Sequence, residues 1–348
     1  MNTFVCRALL TPLMLSLCSA QSNFEGTFVD PDDPSLPIDF KYQGEYLGAG
    51  IGSQAIALGK GAFHLVLYPG GLPGAGWDGK GKSLISGKLI QNGVVLEPSV
   101  GPRKYLHSEA ETFSPTRKVP PVGHIPYSGS IDGEVLTLLG ANSKKLQLKK
   151  TVRKSPTLGL EPPKEAIVLF DGSNKEEWDG GRLDEKTRFL NTDGKDIRSK
   201  RKFNDYLLHL EFMLPFRPLA RGQGRGNSGL YHVDMYENQI LDSFGSDGIH
   251  NECGGIYSIK DSAVNACFPP LTWQTYDVEF TNAKSHDGKK IKDARITVRL
   301  NGILIHENFD IPRKTGGARS EPEGTSGPIK LQGHGNPLQF RNIWIIEK

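Results

Sequence analysis

Polar side chains fall at alternating positions in three short stretches of this chain. Glu237 and Gln239 lie two apart in Tyr236-Glu-Asn-Gln-Ile-Leu-Asp242. Lys330, Gln332 and His334 do so in Ile329-Lys-Leu-Gln-Gly-His334, and Gln339 and Arg341 in Leu338-Gln-Phe-Arg-Asn-Ile-Trp344. Residues two apart on a strand share a face, and a sheet that buries one face against a partner collects polar residues on the other. A carboxyl, an imidazole and a guanidinium among amides can move protons and bind hydroxyls. On a concave sheet, Glu237, Gln239, Gln332, His334 and Arg341 would line one groove. An ordinary solvated sheet surface gives the same alternation, and periodicity leaves both readings open.

Other constellations are weaker. His232 and Asp234 flank Val233 near Glu237, and His250-Asn-Glu-Cys253 sits in a glycine-bounded loop. Neither has His-Glu-x-x-His or Cys-x-x-Cys spacing, so a metal role is not favoured over a structural one. There is no Gly-x-Ser-x-Gly for a serine hydrolase. The loop Tyr68-Pro-Gly-Gly-Leu-Pro-Gly-Ala-Gly-Trp-Asp-Gly79 has no Gly-Lys-Ser/Thr close and reads as a cover carrying Trp77, not a phosphate cradle.

The elements that must position these residues are strands. The chain has 348 residues, of which 41 are Gly and 23 Pro, with no Gly-x-y period. That surplus suits many short strands joined by turns. Hairpins are predicted at Gly59-Lys60-Gly61, Asn92-Gly93 and Asn301-Gly302, each between apolar runs, and at Asp132-Gly133, which precedes Glu134-Val-Leu-Thr-Leu-Leu139. The net charge of +3, with both signs dispersed, argues against nucleic acid as a partner. Arg7, the apolar stretch Ala8–Leu17 and the small residues Cys18-Ser19-Ala20 read as a secretory signal peptide over residues 1–20, with the mature chain starting near Gln21. No later stretch is long enough for a membrane span. The expected compartment is periplasmic or secreted, and there Cys253 and Cys267, the pair left after the leader, are expected to form a disulfide. Lys154-Ser-Pro-Thr-Leu-Gly-Leu-Glu-Pro-Pro-Lys164 reads as a Pro-rich linker at 155–164. It separates a smaller β-rich N-terminal domain, 21–154, from a β-sandwich over 165–348.

The C-terminal half also carries a family resemblance. Val168-Leu-Phe-Asp-Gly172, Gly226-Asn-Ser-Gly-Leu230, Tyr236–Asp242, Gly254-Gly-Ile-Tyr257, Asn265-Ala-Cys-Phe-Pro-Pro270, Trp273-Gln-Thr-Tyr-Asp277, Asn301-Gly302, and Gly327-Pro-Ile-Lys-Leu-Gln-Gly-His-Gly335 with Phe340-Arg-Asn-Ile-Trp344 occur in order. Together they resemble the domain of unknown function 1080, associated with 3-keto-glycoside lyases and 3-keto-2-hydroxyglucal hydratases. The whole chain resembles the exported two-part members of planctomycete-type bacteria. The resemblance implies a concanavalin-like jelly roll with a carbohydrate groove on its concave sheet. One departure stands out: the family often has an acidic residue before the final His-Gly, where this chain has Gly333, which bears on whether this member is active.

The implied substrate is an oligosaccharide or 3-keto-glycoside. A ketone at C3 acidifies the proton at C2; a base removes it, the group at C1 leaves, and water adds to the 2-hydroxyglucal. The resemblance assigns this chemistry to Glu237, His334 and Arg341. Glu237 and His334 share the acid and base roles in either order, and Arg341 neutralises the enolate or fixes a hydroxyl. Asn227, Gln239, Gln332, Lys330 and Trp273 would contact the sugar. No cofactor is required with certainty; a divalent metal is the alternative electrophile to Arg341. The other reading of the same jelly roll is a non-catalytic, lectin-like carbohydrate-binding module. The oligomeric state is left open.

Overall fold

The computed structural model describes residues 26–140 and 144–348, so the leader, with Cys6 and Cys18, lies outside the described residues. Eight antiparallel strands between Gly44 and Thr151 close into a barrel. An eight-stranded barrel leaves an interior just wide enough for side chains. Tyr46, Phe63, Leu65, Ile85, Leu136 and Leu148 pack in this barrel's core.

The C-terminal half is the expected all-β jelly-roll sandwich. One sheet runs, in spatial order, Arg182–Leu183, Leu190–Asn191, Gln339–Glu347, Tyr206–Met213, Trp273–Thr281, Ala294–Leu300 and Ile303–Ile311, with Ile167–Phe170 also on Gln339–Glu347. The other runs Trp178–Asp179, Ile197–Ser199, Lys330–Leu331, Ser228–His232 and Tyr236–Ile240. Alternation sends Leu208, Leu210 and Phe212 of one sheet, and Leu230, Tyr236 and Leu331 of the other, into a shared core. Among the described residues, no helix is long and apolar enough to cross a membrane.

The turns follow their chemistry. Asn301 and Gly302 have φ of 54° and 78° between Leu300 and Ile303, the left-handed pair that a two-residue hairpin needs. The Asn92-Gly93 hairpin forms one residue earlier than read. Ile90 pairs with Gly93, so Gln91 and Asn92 make the turn.

Residues 155–164 do not hang between the halves. Ser155 Oγ is 2.6 Å from Thr275 Oγ1, and Thr157 Oγ1 donates to Asp277 Oδ2 at 2.6 Å. Gly159 N donates to Glu211 Oε1 at 2.6 Å, and Asn342 Nδ2 to Leu160 O at 3.0 Å. The segment is a strap pinned across the outer face of the larger sheet. The halves also share packing: Phe216 and Leu271 belong to the barrel's core cluster, and Phe244 packs with Ile56, Val66 and Tyr68. Arg225 joins them too, bonding Asp242 at 2.9 Å and the Ala57 carbonyl at 3.3 Å.

The disulfide expectation is corrected. Cys253 and Cys267 are free, fully buried thiols. Each sulfur has a polar neighbour in the core: Cys253 Sγ lies 3.7 Å from Tyr276 Oη, and Cys267 Sγ 3.4 Å from Phe268 O. Burial pushes the Cys267 thiol well up, away from the reactive thiolate. Freshly purified protein should therefore resist thiol labelling while folded. Unfolded without reductant, it should take label at both cysteines; an unlabelled, unfolded chain would mean that they are bonded.

Candidate functional site

The site is built on the hairpin of Ser228–His232 and Tyr236–Ile240. Tyr231 pairs with Glu237 and Gly229 with Gln239, while Lys330 pairs with Tyr231 from the other side. Because Leu230, Tyr236, Ile240 and Leu331 point into the core, their neighbours Tyr231, Glu237, Gln239 and Lys330 point out. Gly229 is required beside them. A Cβ there would stand 2.4 Å from Glu237 Oε1, so only glycine lets the carboxyl lie across this strand.

These residues border a cavity of about 190 Å³, lined by Gln223, Asn227, Tyr231, Glu237, Gln239, Tyr257, Gly316, Gly317, Gln332 and His334. Five of the residues singled out in the sequence thus meet: Glu237, His334, Asn227, Gln239 and Gln332. Glu237 is 3% exposed, and burial pushes its carboxyl up to about 7, against a Tyr231 hydrogen bond and the Lys330 charge, which favour the ionised form, and with Asp196 pushing it up. Tyr231 Oη lies 2.8 Å from both Glu237 Oε2 and Gly316 O, and it accepts from Gln332 Nε2 at 3.3 Å. His334 is exposed at the rim, at a left-handed φ of 32°, and its carbonyl accepts from Asn336 Nδ2 at 3.0 Å.

Two amides here have half their hydrogen bonding unmet. Asn227 Nδ2 donates to Gln223 Oε1 at 3.0 Å and Gln239 Nε2 to the same oxygen at 3.3 Å. Yet Asn227 Oδ1 and Gln239 Oε1 are buried with no partner. Buried acceptors without donors are costly, and hydroxyl groups of a bound molecule would satisfy both.

Three residues expected at the site fall elsewhere. Arg341 is not in this cavity. Its Nε bonds Glu211 Oε2 at 2.6 Å on the outer face of the larger sheet, with the sandwich core between it and Glu237. Trp273 is there too, 4.1 Å beneath the Arg341 guanidinium. Lys330 lies beside the cavity, not in its lining: it is 1% exposed, with Nζ 2.7 Å from Asp234 Oδ1, bonded to Gly317 O at 2.6 Å, and 3.6 Å over the Tyr231 ring. It props the wall and cannot reach a sugar.

The weaker candidates are structural. His232 is fully buried, Nε2 2.9 Å from Asn238 Oδ1 and Nδ1 2.9 Å from Tyr206 Oη, and burial depresses it to about 4. It is a neutral core histidine. Asp234 pairs with Lys330 and with Arg198. In the 250–253 loop, the His250 backbone N–H donates to Asp261 Oδ1 at 2.7 Å. Among the described residues, no group of three or more His, Cys, Asp or Glu side chains is placed to hold a metal. The neutral amides and phenols around Glu237 are a poor donor set for a divalent cation, so no step below is routed through one.

Gly333 has its own reason. A Cβ there would come within 2.1 Å of Lys195 N, so no acidic side chain fits. A carboxylate still reaches this corner, because Gly333 N donates to Asp196 Oδ1 at 3.1 Å.

The family model of the 3-keto-alpha-glucoside-1,2-lyase-like domain matches residues 165–346, more than half of the chain. The chain belongs to this family. Three crystal structures from Parabacteroides distasonis, described there provisionally as glycosyl hydrolases, are similar to the same part. One is 32% identical with TM-score 0.49, covering 53% of this chain and 84% of that one. The others are 17% and 22% identical, each with TM-score 0.39, covering 53% of this chain and 94% and 100% of theirs. No curated protein matches the chain. The family match ends at the strap, so the barrel preceding this lyase-like domain is outside it.

Tyr231, Gln223 and Tyr257 were not expected from the sequence. Tyr231 carries the same two-residue alternation as Glu237. The hairpin that pairs them turns at Val233 and Asp234, with φ of 46° and 54° and no glycine, so nothing in the sequence announces it.

Proposed function

We propose that this is an exported enzyme that cleaves 3-keto-glycosides by elimination and hydration, with net hydrolysis of the glycosidic bond. The observation that carries the reading is the coincidence, in one small cavity, of a buried carboxyl near neutral pKa with two unpartnered amide oxygens. A carboxyl poised near pH 7 suits proton transfer, and the amides suit sugar hydroxyls. The cavity's ~190 Å³ is below the ~300–1,000 Å³ of sites for drug-sized ligands, so it holds one ring and leaves the departing group outside.

One of His334 and Glu237 takes the C2 proton as the C3 carbonyl becomes an enolate. The enolate then re-forms the carbonyl and expels the C1 oxygen, which the other group protonates. With Arg341 across the core, the enolate oxygen is met by neutral donors, the Gln332 amide and the Tyr257 phenol. Water adds to C1 by the reverse route: the group that gave its proton deprotonates it, and the first group returns a proton to C2. Both are restored.

The test is a panel of 3-keto-disaccharides assayed in deuterated water. Elimination and hydration should release free 3-keto sugar with solvent deuterium at C2, above the uncatalysed exchange of the substrate. Direct displacement would release sugar that keeps its C2 hydrogen. Saturable binding without turnover would make the protein a lectin-like module and overturn the enzymatic reading.

A further inference from the structure

Which of Glu237 and His334 is the acid follows from counting hydrogens on Tyr231. The Tyr231 hydroxyl has one proton and two acceptor positions. Three groups surround it. Gly316 O, at 2.8 Å, can only accept. Gln332 Nε2, at 3.3 Å, donates. Glu237 Oε2, at 2.8 Å, is the third. If the phenol gives its proton to Gly316 O, the hydrogen on the remaining contact comes from Glu237. If it gives it to Glu237, the Gly316 carbonyl loses its donor. All three contacts are satisfied together only when the carboxyl is protonated.

Resting on the proposed function, we infer that Tyr231 is a positioning residue that stores the proton on Glu237, making Glu237 the acid for the departing group and His334 the base at C2. The wall that accepts from Tyr231 is fixed: Lys330 Nζ holds Gly317 O at 2.6 Å, and a Cβ on Gly317 would stand 2.8 Å from the Tyr231 oxygen. Delivery needs a half-turn of the carboxyl about its last bond, a soft two-fold torsion, which exchanges Oε2 for Oε1, the oxygen lying over Gly229. The proton then passes to the leaving oxygen. The carboxylate left behind accepts from Tyr231, whose proton swings over from Gly316 O. When the attacking water gives up its proton, the arrangement resets.

Every charged group facing Glu237 bears on its titration: Lys330 over the Tyr231 ring, Asp196 and Asp234, Arg198 bridging those two, and His334 at the rim. None of them is altered by Tyr231→Phe. That variant removes the acceptor for a protonated carboxyl and should raise the Glu237 ionisation constant about tenfold, on the scale of one hydrogen bond. The readout is the carboxyl infrared band of the unliganded protein, titrated against Glu237→Gln as the blank. It needs no turnover, so it stands apart from the assay of function. In an active enzyme, the alkaline fall of kcat should move down in pH by the same amount. An unchanged or lowered ionisation constant means that Tyr231 donates to Glu237, and overturns the inference. If Tyr231→Phe does not fold, the wild type decides it. An atomic-resolution structure below pH 7 should give Glu237 two unequal C–O bonds with the longer to Oε2; equal bonds overturn it.

Discussion

Glu237→Gln should lower turnover of 3-keto-disaccharides about 100-fold or more while leaving sugar binding within a few-fold, on the scale of general acid–base contributions. The amide keeps the shape of the side chain over Gly229, so packing is preserved and only the transferable proton is lost. Initial rates and calorimetric binding of an unreactive glycoside separate the two effects. The leaving group adds a second readout. A 3-keto-glycoside of an acidic phenol departs without help, so the variant should recover much of its rate on that substrate. Equal loss on both substrates would mean that Glu237 acts at C2, and an unchanged rate would remove it from the chemistry.

Glu211→Gln should unlock the strap and destabilise the protein by about 3 kcal/mol. That is the low end of the range for breaking a buried ion pair, because Arg341 keeps some solvent contact. Burial alone would push the Glu211 carboxyl up. Contacts from His209, Asn342, Gly159 N and Arg341 outweigh it and hold the carboxyl at about 2. The sign follows. A group whose folded pKa is depressed contributes fully above its ordinary value near 4.5, and the contribution disappears as pH falls toward 2. Wild-type denaturation midpoints should therefore drop across that window, and the variant's should drop less. Limited proteolysis should cut the variant within 155–164 faster than the wild type. Equal cleavage and parallel acid limbs would show that the strap is held by its other bonds.

Much of the fold was legible because its rules are local. Asn301-Gly302 takes the left-handed backbone that its hairpin requires, and Ala166–Phe170 gives the strand Ile167–Phe170 from its apolar run. The strap was less legible. Its prolines and lack of periodicity signal only that it is neither helix nor strand, and such a segment hangs free or docks according to what lies beneath it. Here Thr275, Asp277 and Glu211 lie beneath it, from strands more than fifty residues further on. The cysteines read as a disulfide because compartment and parity are statistical signals, whereas the fold holds both as free, buried thiols beside each other.

For the site, the sequence determined which side chains leave the core. The two-residue period placed Glu237, Gln239, Gln332 and Arg341 outward on their strands, and all four do point outward. A sandwich, however, has two outer faces, and alternation is blind to which sheet a strand joins. Gln339–Glu347 pairs with Tyr206–Met213, which carries Arg341 and Trp273 to the face opposite the cavity. Lys330–Leu331 pairs with Ser228–His232, which brings Gln332 and His334 to Glu237. Strand partnership is chosen by long-range burial and register among segments a hundred residues apart, so which of these outward side chains share the cavity was decided by tertiary structure.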